Sequence, residues 1–372
     1  MVTILIAGGG TGGHVYPMLA VGDAVRALDP EARVVYVGTP RGIEGRAIGE
    51  RQDQKEELFL LDIAPLRGAG LGGFVKGVAR AAGSIPEARA LVKKLAPAVA
   101  LSAGGYAGGP IAVAARIHGS PVALLEPNSV LGLSNRLLTP FADRAYVAFP
   151  EAERFLRPST VRRLGVPLRR AFLPSKYAAK QGPMRVLVLG GSQGAKGVNE
   201  AVPRALAIAV AKGADVVVTH QTGRDRDVEV RARYADLGLA ARAVVVPFID
   251  DVAAALTDAD LVLGRSGASS LAELCAVGRA SILIPFPFAA DDHQHKNAVS
   301  LERAGAAIAV AQAVATPERL AAEIAALAAD PARRERMSDA ARDLGKPAAA
   351  RDIAADLLAL AHERDRHNQE AS

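Results

Sequence analysis

Clustered glycines, one histidine and a serine–glutamate pair are the residues here whose types and spacing could do chemistry. The first cluster is AGGGTGGHVYP, residues 7–17, which follows the apolar run VTILI. Its spacing, Gly8-x-Gly10-x-x-Gly13, matches a dinucleotide-binding fingerprint. That fingerprint needs an acid at the end of the next strand, where it bonds the ribose hydroxyls. The next strand, ARVVYVGTPRG, reaches Gly38 and Thr39 instead. What remains is a strand-to-helix turn whose backbone N–H groups face the positive end of a helix dipole, a cradle for phosphate or diphosphate. The plain alternative is a turn that only lets strand and helix pack closely. A second turn of the same kind, GGSQGA at 190–195, shifts the balance toward phosphate chemistry. His14 stands directly after the first cluster. Histidine titrates near neutrality, so it can take a proton from a hydroxyl; it can equally do no more than bond a backbone carbonyl. Ser270-x-x-Glu273 spells a capping box for the helix SLAELCAVG, and locally that explains Glu273. Asp250 and Asp251 look like a metal pair but also suit a helix start after PF. DRD at 225–227 and DAD at 258–260 match the Asp-x-Asp of metal-dependent transferases by spelling alone. No metal ligands are predicted.

These residues need a scaffold, and the chain supplies it twice. VTILIA, ARVVYVG, AVALSAGG, PVALLEP and RAYVAF read as buried parallel strands with helices between them. After residue 183 the pattern restarts with MRVLVLGG, ADVVVTHQ, RAVVVPF, DLVLGRSG and ASILIPF. TILIAGGGTGG at 3–13 aligns with RVLVLGGSQGA at 185–195, a weak internal repeat. The expectation is α/β: two Rossmann-like, doubly wound domains, 1–165 and 166–347, facing a deep cleft. Ligands of open α/β sheets bind at the carboxyl ends of the strands. A last helix, about residues 348–366, can pack back on the first domain or on the second; periodicity does not choose.

Composition narrows the class. The chain has 372 residues, a net charge of +6, one cysteine and no tryptophan. A single cysteine forms no internal disulfide, which fits a reducing compartment. The first apolar run is too short for a signal-peptide core, and no run approaches the roughly 18 apolar residues of a membrane span. A cationic balance favours anionic partners, although an ordinary basic surface is enough to account for the charge alone. Nucleic acid is not among them, because no basic segment is interleaved with stacking rings.

The motifs GGGTGGHVYP, SAGGYAGGP, EPNSVLGLSNR, GVPLR, GGSQGAKGVN, PFIDDV, RSGASSLAEL and DDHQHKNA occur in that order across nearly the whole chain. Together they closely resemble the MurG family, glycosyltransferase family 28. The resemblance implies the GT-B fold. It implies transfer of N-acetylglucosamine from UDP-GlcNAc to the MurNAc 4-hydroxyl of lipid I, with inversion to a β-1,4 linkage. Related enzymes that glycosylate diacylglycerol are the alternative; an oxidoreductase and a non-catalytic nucleotide-binding protein are further readings.

Carried onto this sequence, the resemblance gives His14 as general base and Glu126 as a second candidate. Thr11, Gly12, Gly13 and Asn128 would contact sugar or diphosphate from the first domain. Ser192, Gln193, Gly194 and Arg169 would hold the donor diphosphate, and the Ile249 backbone would read uracil. Ala268, Ser269, Ser270, Leu271, Ala272 and Glu273 would form the nucleoside pocket, with Glu273 on the ribose. Gln294 would bond the GlcNAc hydroxyls. No cofactor is required, though a loosely held divalent cation could assist at the diphosphate. The lipid acceptor implies peripheral attachment to the cytoplasmic face of the membrane, through about residues 65–85. There Leu66, Leu71, Phe74 and Val75 are mixed with Arg67, Lys76 and Arg80. Two departures stand out: the family's Glu-Gln-Asn reads Glu126-Pro127-Asn128, and its Gly-Asn-Pro reads Gly165-Val166-Pro167.

Overall fold

The computed structural model describes residues 1–9, 12–40, 48, 57–61, 83–191 and 194–370. The chain divides into two compact units. One is Met1–Arg169 together with Ala348–Ser372; the other is Arg170–Pro347. The chain therefore leaves the first unit four residues beyond the expected 165/166.

In the first unit, the described strands are β1 (Thr3–Ala7), β2 (Arg33–Gly38), β3 (Glu57–Leu60), β4 (Val99–Ser102), β5 (Val122–Glu126), β6 (Arg144–Val147) and β7 (Val161–Arg162). They pair in the order β3-β2-β1-β4-β5-β6-β7, all parallel. β1 is buried at every position, as a central strand covered on both faces must be. Helix α1 (Gly12–Leu28) follows β1; α2 (Ile85–Leu95) precedes β4 and α3 (Gly105–Ile117) follows it. Ile4, Ile6, Val15, Met18, Leu101 and Tyr146 fill one face, Leu5, Val35, Ala100 and Ile111 the other.

The second unit repeats the plan. Its described strands are β8 (Met184–Leu189), β9 (Val216–Gln221), β10 (Ala243–Val246), β11 (Leu261–Gly264), β12 (Ser281–Leu283) and β13 (Ala307–Ala309). Their order is β10-β9-β8-β11-β12-β13, again all parallel. The ten strands read from apolar runs are present. β3, β7 and β13 add to them: all three are short edge strands, mostly half-buried, and so carry no continuous apolar run. Each sheet has a switch point where strand order reverses, between β1 and β4 and between β8 and β11. Such a point opens a crevice at the carboxyl edge.

The last helix belongs to the first unit. Ile353, Ala354, Leu357 and Ala361 are fully buried in the α1 core. Asp356 accepts from Tyr146 Oη at 2.8 Å and pairs with Arg144 Nε at 3.3 Å.

Candidate active site

The first switch point brings two loops together. α1 starts at Gly12, and His14 lies on its first turn, half-buried. Its Nδ1 is 2.8 Å from the carbonyl of Ala103, the residue after β4. A carbonyl can only accept, so Nδ1 carries the proton of the neutral ring and the lone pair is on Nε2. The carbonyl contact, which could have been the whole story, thus fixes the tautomer a base requires. Gly105 makes the close approach possible: it adopts φ +72°, and a Cβ there would lie 2.3 Å from the Gly9 carbonyl.

The turn that carries Ala103 is itself tied to Glu126. Gly104 N donates to Ser102 Oγ (3.3 Å), and Ser102 Oγ donates to Asn135 Oδ1 (3.2 Å). Asn135 Nδ2 donates to Glu126 Oε2 (3.2 Å) and to the Leu125 carbonyl (2.9 Å). Glu126, buried at the end of β5, also accepts from Gly132 N (2.8 Å), Asn128 N (3.1 Å) and Asn128 Nδ2 (3.2 Å). Burial pushes its carboxyl up, and these N–H groups pull it part of the way back. Its oxygens are engaged in holding loop 126–132, and through Asn135 and Ser102 the His14 acceptor turn. Neither Ser102 nor Asn135 stood out in the sequence. Both lie inside quoted motifs, but only the β4–β5 pairing shows that they meet.

Gly12 and Gly13 begin α1, and Thr11 lies outside the described residues. Arg169, exposed, places its guanidinium 5.9 Å from the centre of the Tyr16 ring, which is 50% exposed and lies two residues beyond His14 on α1.

In the second unit, the turn after β8 leads into α4 (Lys196–Ala211). Ser192 and Gln193 lie outside the described residues. Gly194 has φ +75°, and a Cβ there would lie 2.3 Å from the Thr222 carbonyl. Ile249, half-buried, follows β10. Asp251 caps the helix Val252–Asp258 by accepting from Ala254 N at 2.8 Å, which accounts for one of the paired aspartates.

After β11, helix α5 runs Ala268–Val277 with Gly267 as its N-cap. The capping-box reading fails here. The helix begins two residues before Ser270, so Ser270 lies inside its first turn and no side chain caps the end. Ala268 and Leu271 are buried, Ser269, Ala272 and Glu273 half-buried, and Ser270 exposed. Ser269 Oγ is buried with no hydrogen-bond partner among the described residues. The helix start thus offers N–H groups at a dipole end, and Glu273 stands one turn further along.

Gln294 lies on the first turn of helix α6 (His293–Arg303). Its Oε1 accepts from Phe286 N at 3.0 Å and its carbonyl accepts from Ser266 Oγ at 2.8 Å, so Nε2 is the end left to donate elsewhere. Arg265, which opens the motif RSGASSLAEL but has no role in the sequence reading, braces this loop. It donates to the Ile284 carbonyl (2.9 Å), the Pro285 carbonyl (3.1 Å) and Gln312 Oε1 (2.7 Å).

The loops that carry most of the motifs therefore lie at the carboxyl edges of two sheets, and chain comparison identifies the family that uses them. Models of the glycosyltransferase family 28 N-terminal and C-terminal domains match residues 4–147 and 185–357. The chain belongs to glycosyltransferase family 28. A relative from Sorangium cellulosum is 67% identical over 363 residues, 97% of this chain and 89% of that protein. It is named UDP-N-acetylglucosamine--N-acetylmuramyl-(pentapeptide) pyrophosphoryl-undecaprenol N-acetylglucosamine transferase. One of the same name from Acidithiobacillus ferrooxidans is 43% identical, covering 96% of this chain and 98% of that protein. The crystal structure of Acinetobacter baumannii MurG superposes with a TM-score of 0.81 at 31% identity, over 96% of this chain and 99% of that one. The two-domain GT-B fold is that of family 28.

Proposed function

We infer that this chain transfers N-acetylglucosamine from UDP-GlcNAc to the MurNAc 4-hydroxyl of lipid I, forming lipid II with a β-1,4 linkage. The observation that carries this is the 67% identity to a relative of that name over 97% of the chain. The His14 tautomer adds chemical support.

In this reading Nε2 of His14 takes the proton of the acceptor hydroxyl as its oxygen attacks C1 of the donor sugar. The C1–O bond to UDP breaks on the opposite side, and its electron pair leaves with the diphosphate, so the α linkage inverts to β. The developing charge is met by backbone N–H groups of the turn 190–195, by Ser192 and Gln193, and by Arg169. Thr11, Gly12, Gly13 and Asn128 serve the sugar and diphosphate from the first domain. Glu126 acts on His14 by holding the Ala103 turn. Ile249, residues 268–273 and Gln294 take uracil, ribose and GlcNAc. No metal ion is needed, although a divalent cation can ride on the diphosphate. The described part of the chain has no helix long and apolar enough to cross a membrane. The lipid substrate is then met peripherally, at the cytoplasmic face, by the cationic apolar segment 65–85. Residues 65–82 of it lie outside the described ones.

The test is UDP release from a panel of UDP-sugars, with and without a lipid I analogue or diacylglycerol. UDP should appear with UDP-GlcNAc and the lipid I analogue together. No release with that pair overturns the reading, and release with diacylglycerol alone replaces it.

A further inference from the structure

The carboxyl end of β9 carries a buried polar chain that the reaction as drawn does not use. His220 is fully buried. Its Nε2 lies 3.1 Å from Asn199 Oδ1 on α4. Its Nδ1 lies 3.0 Å from Tyr234 Oη, on the helix Asp227–Asp236. Asn199 Nδ2 donates to the Thr222 carbonyl at 2.9 Å. These contacts fix every proton. The Thr222 carbonyl can only accept, so Asn199 turns Nδ2 toward it and Oδ1 toward His220. Oδ1 can only accept, so His220 carries its proton on Nε2. Nδ1 then accepts from the Tyr234 hydroxyl.

The end of this chain is the seat of the second glycine turn. Gly190 N donates to the Gln221 carbonyl at 3.0 Å. The Thr222 carbonyl fills the space where a Cβ of Gly194 would stand, 2.3 Å from it. The Thr222 carbonyl therefore bears on Gly194, and its direction is held by Asn199 together with the bond from Thr222 N to the Val246 carbonyl at 3.0 Å. Without a donor at His220 Nε2, Oδ1 of Asn199 is left buried and unsatisfied, so the amide gains by turning away from its place between His220 and Thr222. Its flip would set two oxygens against each other at Thr222.

We propose that His220, Asn199 and Tyr234 are positioning residues that hold the Thr222 carbonyl, and through it Gly194, as the second glycine turn needs them to bind diphosphate. The proposal rests on the reading that this turn binds the donor diphosphate. It assigns no proton transfer to His220; the ring acts by where its one N–H points.

Binding of UDP and of uridine, each measured by competition against UDP-GlcNAc turnover and by calorimetry, separates the roles. Uridine lacks the phosphates and so reports the nucleoside pocket alone. His220→Leu should weaken UDP by about tenfold, the worth of one buried hydrogen bond, and leave uridine within twofold. His220→Gln, whose side-chain amide can donate toward Asn199, should recover most of the UDP affinity. Asn199→Asp is nearly isosteric, has no donor for Thr222, and should behave as His220→Leu does. It serves if the leucine variant does not fold. Unchanged UDP affinity in these variants overturns the proposal. Equal loss of UDP and uridine also overturns it, since that marks general destabilisation. If the unaltered protein binds uridine but UDP no better, the diphosphate reading of the turn itself fails.

Discussion

At the scale of single residues, His14 and His220 show how surroundings decide what an imidazole does. His14 is half-buried, and its Nδ1 is committed to the Ala103 carbonyl, so Nε2 holds the lone pair. Replacement by alanine should lower kcat by about 10²–10⁴, the usual contribution of a general base, while calorimetric UDP affinity stays within threefold. Unchanged turnover would remove the base assignment. His220 is fully buried, and burial lowers its pKa from 6.5 to about 4. Between those values the unfolded chain binds the extra proton and the folded one does not. Stability is therefore complete above pH 6.5 and falls as pH drops toward 4. The loss between pH 7 and pH 5 is about 2 kcal/mol from this group. Chemical denaturation at both pH values should show a smaller difference in His220→Leu than in the unaltered chain. An equal difference would mean that the ring charges freely in the folded state.

At the scale of elements, helix starts were where local sequence misled. Ser270-x-x-Glu273 has the capping-box spelling, yet the helix starts at Ala268 on an uncapped Gly267. Thr316 on the helix Pro317–Ala329 is a cap in fact, accepting from Arg319 N at 3.2 Å. Thr316→Ala should then cost about 1 kcal/mol in urea unfolding, whereas Ser270→Ala should stay within about 0.5 kcal/mol. A larger cost for Ser270 would restore the capping role. The physical reason for the miss is that a spelling of four residues is indifferent to where β11 ends. That is set by the pairing of Leu261–Gly264 with β8 and β12. Strands were easier to read, because buried parallel strands are continuous apolar runs.

At the scale of the whole molecule, the chain returns to the first unit after completing the second. The returning helix buries Ile353 and Leu357 completely, each contributing about 1.5–3 kcal/mol. Truncation after Pro347 also strips Tyr146 and Arg144 of Asp356. Calorimetry of that truncation should show the first unit melting at a lower temperature, or already open to protease, with the second unit's transition unchanged. Equal transitions before and after truncation would show that the helix adds nothing to the first core.

The sequence by itself determined the α/β class, the doubling of the domain and its family, because apolar runs, glycine turns and ordered motifs are local or linear signals. It pointed to His14 through the glycine turn beside it. Tertiary structure alone decided the tautomer of His14, since its acceptor is 89 residues away. It alone brought Ser102, Asn135 and Glu126 into one chain of bonds, and chose the first unit for the last helix. Hydrogen bonds between strand ends depend on which strands are neighbours. That order, β1 beside β4 and β8 beside β11, is a property of the folded sheets and not of any stretch of residues.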